Sequence, residues 1–210
     1  ADHGTRYLAG LPPGHQMPQR GPDSATNFRA MVSQTYTFKT RTHKDQTIPE
    51  NLNSLVIARP TEEFSDYELY QIDQFLMKGK NLILILDRFQ EVRPTNQQGR
   101  SLGGQQPVYA PLDTGLEKLL SHYGILMKNS YVMDENCFRQ QLPAQLGGGE
   151  RPVYFAPIIR SRFINKELEF MKSIKGMIAL KISPLELDPE RLTANGLKAT
   201  RLVASSEKSW

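Results

Sequence analysis

The stretch from Ser54 to Asp87, SLVIARPTEEFSDYELYQIDQFLMKGKNLILILD, constrains the fold more than any other, because it spells a strand, a helix and a second strand with their punctuation. Ser54 to Ala58 is a short apolar, β-branched run ended by Arg59-Pro60, and Leu82 to Leu86 is a second unbroken run ended by Asp87. Neither alternates with polar residues, which predicts strands buried on both faces, as central parallel strands are. Between them Ser65 and Glu68 have the spacing of a capping box, and Leu69, Ile72, Phe75 and Leu76 recur at helical spacing. Gly79 stands where a helix C-terminus favours a left-handed residue. The unit reads as one parallel βαβ crossover.

The flanking segments extend that alternation. Residues 1–23 are rich in Gly and Pro and read as loop, with a strand at most over Arg6 to Ala9. A helix is predicted around Asn27 to Gln34, and a strand over Tyr36 to Thr42. Residues 88–111 are polar and without period, as a long functional or mobile loop would be. Thr114 and Glu117 offer a second capping box, Leu116, Leu119, Leu120 and Tyr123 an apolar helix face, and Gly124 a stop. Strand composition returns over Ile125 to Met127, Tyr131 to Met133, Pro152 to Ile159, Met177 to Ile182 and Thr200 to Ala204. Residues 139–150 read as a second loop, Asn165 as the cap of a short helix over Lys166 to Lys172, and Ser183 to Gly196 as turn-rich. The expectation is a single α/β domain over residues 1–210. Its expected architecture is a three-layer sandwich, Rossmann-like or flavodoxin-like, with a mostly parallel or mixed central sheet.

The same crossover carries a family resemblance. Its LVIA-x-Pro strand, its acidic-Leu-x-x-Ile-Asp-Gln-Phe-Leu-x-x-Gly helix and its strand ending in Leu-Asp are one part. Leu116 to Ile125, Val132-Met133-Asp134-Glu135-Asn136 and the closing Leu202 to Trp210, with Ser-Ser-x-x-Ser-Trp, are the rest. In these motifs the chain resembles the GldG-like auxiliary domain of ABC-type transport systems, the gliding-motility-associated family. The resemblance implies an extracytoplasmic, periplasmic domain, anchored by membrane helices outside this segment, that accompanies an ABC permease and ATPase. It implies no catalytic residues.

Charge and composition narrow the function classes. A formal net charge of +4 with basic residues scattered among acidic ones, and no run of five like charges, reads as a solvated surface. Aromatic and basic residues are not interleaved as in RNA-binding motifs, so no nucleic-acid partner is expected. No stretch approaches the roughly 18 consecutive apolar residues of a spanning helix, and the N-terminus lacks the layout of a signal peptide. The single Cys137 cannot form an internal disulfide.

Assembled chemistry is not legible. Neither Gly-x-Gly-x-x-Gly nor a P-loop occurs, so no nucleotide cofactor is expected and ATP hydrolysis belongs to a separate subunit. His3, His15, His43 and His122 are too scattered for a zinc motif, and no metal is expected. Cys137, His122 and Asp134 are near in sequence, but no nucleophile elbow surrounds the cysteine; the chain is read as no enzyme. In open α/β sheets ligands bind outside the carboxyl ends of strands, which places Thr61, Asp87, Arg88, Asp134 and Asn136 at a candidate crevice, with capping of turns as their competing use. Docking to permease or envelope proteins is the leading expectation. A small ligand, a saccharide by fold analogy, is the alternative.

Overall fold

The computed structural model describes residues 26–37, 47–92 and 108–210. The segment 1–23, the strand expected at Arg6 to Ala9, most of that expected at Tyr36 to Thr42, and the centre of the 88–111 stretch lie outside them. The chain divides into two compact units, Ala1–Leu86 and Asp87–Trp210.

In the first unit, helix α1 covers Thr26–Val32 and is followed by the crossover: β1 (Ser54–Ala58), α2 (Asp66–Met77) and β2 (Asn81–Ile85). β1 and β2 pair in parallel, Ser54 opposite Asn81 through Ala58 opposite Ile85. The capping box forms: the Glu68 N–H donates to Ser65 Oγ at 3.3 Å, and the Ser65 N–H donates to Glu68 Oε2 at 2.9 Å. Gly79 ends the helix region at φ 73°, a conformation a Cβ disfavours. Leu55, Ile57, Phe64, Ile72 and Phe75 form the buried apolar set of this unit, each worth about 1.5–3 kcal/mol relative to exposure. The expectation of strands buried on both faces fails here. Ile83 and Ile85 stay about half exposed, so burial alternates along β2, as on a sheet covered on one face.

The second unit overturns the expected Rossmann-like, mostly parallel sandwich. Its strands are β3 (Phe89–Val92), β4 (Val108–Pro111), β5 (Ile125–Met127), β6 (Cys137–Gln141), β7 (Glu150–Arg160), β8 (Gly176–Ile178) and β9 (Leu185–Leu187). They make three small sheets, β3–β4, β5–β9 and β6–β7–β8, and every pair is antiparallel. The physical reason lies in the connections. A parallel pair needs a helical crossover of a dozen or more residues, and past Asp87 the described helices are only α3 (Leu116–His122) and α4 (Pro189–Ala194). Neither joins strands of one sheet.

Several elements went unread. The ends of the 88–111 stretch are β3 and β4, most of β6 lies in the segment read as a second loop, and β9 with α4 fills the stretch read as turns. β6 returns to β7 through a turn in which Gly147, Gly148 and Gly149 have φ of 92°, 62° and 85°. Three successive left-handed residues explain why three glycines stand there. The helix expected over Lys166 to Lys172 is a short 3₁₀ turn at Glu169–Met171, with Asn165 Oδ1 accepting from the Glu167 N–H.

Candidate functional site

All five expected site residues are described; Asp134 and Asn136 belong to one polar arrangement, and Arg88 pairs with Glu117. Thr61 belongs to the first unit, the other four to the second.

Asp134 is fully buried and sits at the centre of the second unit's most elaborate polar arrangement. The register of β6 on β7 breaks between Cys137, opposite Pro157, and Phe138, opposite Val153. This irregularity leaves the carbonyls of Tyr154 and Phe155 outside the β6 ladder, as a bulge does. They accept instead from the N–H groups of Asp134 at 3.1 Å and Lys181 at 2.9 Å. The Asp134 carboxylate then accepts from the N–H groups of Asn136 and Ser206, each at 2.8 Å, and from Ser206 Oγ at 2.6 Å. Burial pushes its pKa up, but these three hydrogen bonds outweigh burial and hold it below the ordinary carboxylate value.

Asn136 completes the arrangement by donating from Nδ2 to the Ile158 carbonyl at 2.7 Å. Around it, Met133 and Trp210 exchange both backbone hydrogen bonds, Asp134 bridges Ser209, and Lys208 pairs with Glu135 at 2.7 Å. The two motifs Val-Met-Asp-Glu-Asn and Ser-Ser-x-x-Ser-Trp are thus the two halves of one clasp. Asp134 and Asn136 bind this chain's own backbone, which is the capping use that competed with a ligand role.

Arg88 is likewise engaged inside the fold. Its Nη1 donates to Glu117 Oε1 and to the Leu112 carbonyl, both at 2.8 Å, and its Nε to Asn129 Oδ1. Both partners of the Arg88–Glu117 ion pair are largely buried. Glu117 also reaches back to the Thr114 N–H at 3.2 Å, so half of the expected capping box forms. The helix cap itself is Gly115, at φ 80°.

Asp87 lies beside a cluster that sequence reading missed. Lys181 Nζ donates to the Tyr109 hydroxyl, stands 4.2 Å from that ring's centre and lies 3.7 Å from Glu91. Tyr131 packs on Phe89 at 4.6 Å and edge-on to Tyr109 at 6.1 Å. Burial raises the Tyr131 pKa, and the charges of Asp87 and Glu91 add to the shift against the opposing effect of Lys181. The Tyr109 hydrogen bond raises the pKa of Lys181. Lys181 holds φ 52°, a left-handed conformation costing a side-chain-bearing residue about 1–2 kcal/mol. Its partners come from positions 91, 109 and 155, and no local spacing would have revealed them.

Cys137 is buried at 4% exposure and unpaired. Among the described residues no three His, Cys, Asp or Glu side chains gather as a metal site, and no helix is long and apolar enough to cross a membrane.

In the second unit of small antiparallel sheets, Asp134, Asn136 and Arg88 are engaged by this chain's own groups. A family model described as ABC-type uncharacterized transport system matches residues 8–210, so the chain belongs to that family of ABC transport auxiliary domains. The chain is similar to a solved structure titled mmIFT52 N-terminal domain, with a TM-score of 0.57 and 14% identity over 89% of this chain and 67% of that one. At that identity the likeness concerns fold alone. No curated protein matches the chain.

Proposed function

We propose that this chain is a non-enzymatic, extracytoplasmic auxiliary domain of an ABC transport system. It is held at the periplasmic face of the inner membrane by anchors outside these residues, and acts by docking to the permease or an envelope partner. The observation that carries the reading is the family match over residues 8–210. The geometry adds support: Asp134, Asn136 and Arg88 hold the fold together, and Cys137 is buried, so what the domain offers is surface. Cross-linking the parent protein in its native membrane, with mass spectrometry of what is attached, tests this. Recovery of a permease or ATPase linked to this domain is expected. Efficient cross-linking that recovers no transporter component overturns the docking reading.

One observation favours a second reading, a saccharide ligand. Phe89, Tyr131 and Tyr109 present aromatic rings beside Lys181 and Glu91, with Asp87 within electrostatic reach. Aromatic faces with nearby hydrogen-bonding groups suit an amphipathic ligand. A rise in melting temperature with an envelope sugar that disappears in Asp87→Ala supports this reading; a flat response across the sugar panel removes it.

A further inference from the structure

We propose that the module built around Ile159, Ile164 and Met171 seats this domain on the anionic headgroups of a bilayer. These three residues form a buried cluster covered by Phe163, Leu168, Ile174, Ala179 and Val203. Backbone bonds gather the segments: Arg160 pairs with Gly176, Ile164 bridges Val203, and the Asn165 N–H donates to the Leu202 carbonyl at 2.8 Å. Residues 160–175 together with Arg201 hold six basic and two acidic side chains, an excess equal to the +4 of the entire chain. The excess therefore lies on one small module, most of it in the contiguous stretch 160–175 with Arg201 added by the fold, and the rest of the chain is neutral in balance.

The basic side chains differ in use. Lys166 Nζ donates to the carbonyls of Met171, Lys172 and Ile174 and so fixes the turn that carries Phe170. Lys172 pairs with Glu169. Arg160, Arg162, Lys175 and Arg201 are exposed, and among the described residues no carboxylate lies within ion-pair distance of any of them. Arg162 lies over the Phe163 ring at 4.6 Å.

Charge complementarity names the occupant as an array of phosphates. The apolar side chains beside it specify a lipid surface. Phe170 is 67% exposed on its turn and Ile178 is 56% exposed on β8, two residues from the partner of Arg160. An exposed ring and an exposed aliphatic side chain on a module rich in basic residues suit the boundary between headgroups and acyl chains, which takes both. Single-stranded nucleic acid would instead favour successive aromatic platforms. This surface requires no transporter subunit, so its test is independent of the docking reading.

The chain is sedimented with vesicles of phosphatidylcholine alone and of phosphatidylcholine mixed with phosphatidylglycerol, over a range of salt. Binding only to the mixed vesicles, weakening as salt rises, is expected. The fourfold variant Arg160→Gln, Arg162→Gln, Lys175→Gln, Arg201→Gln should lose affinity by about a hundredfold or more, and Phe170→Ser by about tenfold. If the fourfold variant melts early, the pair Arg160→Gln, Lys175→Gln replaces it. Equal binding to neutral vesicles, no binding to either, or an unchanged basic-residue variant overturns the proposal. So does stronger binding to heparin that is insensitive to Phe170→Ser, which would assign a soluble polyanion.

Discussion

At the scale of single residues, the clasp at Asp134 and the strained Lys181 make opposite statements about pH. The folded pKa of Asp134 lies below its ordinary 3.8. Its contribution to stability is present above that value and is lost as pH falls through the depressed folded pKa. Asp134→Asn removes a charged acceptor of three hydrogen bonds and leaves a buried amide to satisfy. A loss of about 2–3 kcal/mol in urea unfolding at neutral pH is expected, and the gap to the parent protein should narrow below about pH 4. For Lys181 the folded pKa lies above its ordinary 10.5, so its contribution is complete below that value and fades as pH rises through the folded pKa. Tyr131, raised above 10.0, adds to alkaline instability because the fold favours its neutral phenol. Lys181→Met should cost about 1 kcal/mol at neutral pH, with a deficit that shrinks in strong alkali.

At the scale of elements, the glycines separate two costs. Gly148, at φ 62° in the β6–β7 turn, has open space where a Cβ would stand, so Gly148→Ala pays only for conformation, about 1–2 kcal/mol. Gly124, at φ 77° between α3 and β5, would place a Cβ 3.1 Å from Leu192 Cγ and 3.2 Å from the Asp188 carbonyl oxygen. Gly124→Ala should therefore destabilise more than Gly148→Ala, by about a further 1–3 kcal/mol for the overpacking of α4. Denaturant midpoints of the two variants compared directly check the order. The elements also show where sequence reading holds. β1, α2 with its cap, α3 and β5 announce themselves because caps, stops and apolar period all fall within a dozen residues. β6 and β9 do not: Arg139-Gln140-Gln141 and the three exposed residues of β9 carry no buried alternation, so only their cross-strand partners make them strands.

At the scale of the whole molecule, the division at Leu86 and Asp87 sets how substitutions combine. Ser65→Ala removes the cap of α2 in the first unit, at a cost of about 1 kcal/mol, whereas Asp134→Asn acts in the second. The two losses should add to within about 0.5 kcal/mol in the double variant, as urea unfolding of all four proteins would show. Larger coupling would mean that each site senses the other unit. The same scale explains the candidate site. Thr61, Asp87, Arg88, Asp134 and Asn136 are placed at strand ends by a fold-level rule, and that rule presumes one parallel sheet. Parallel pairing is confined to β1 and β2 among the described residues, and Asp134 and Asn136 serve the clasp while Arg88 pairs with Glu117.

By itself the sequence determined the parallel crossover of the first unit with the cap of α2, the position of α3, and membership in the ABC transport auxiliary family. These rest on residues close in the chain, whose mutual geometry is fixed by backbone hydrogen bonding and local sterics. Only the tertiary structure decided that the second unit is antiparallel, that Asp134 closes on Ser206 some seventy residues away, and that Arg201 joins the basic stretch 160–175 through the pairing of Asn165 with Leu202. Such choices depend on which distant backbone groups find partners, and a bulge of a few residues in β7 is enough to redirect them.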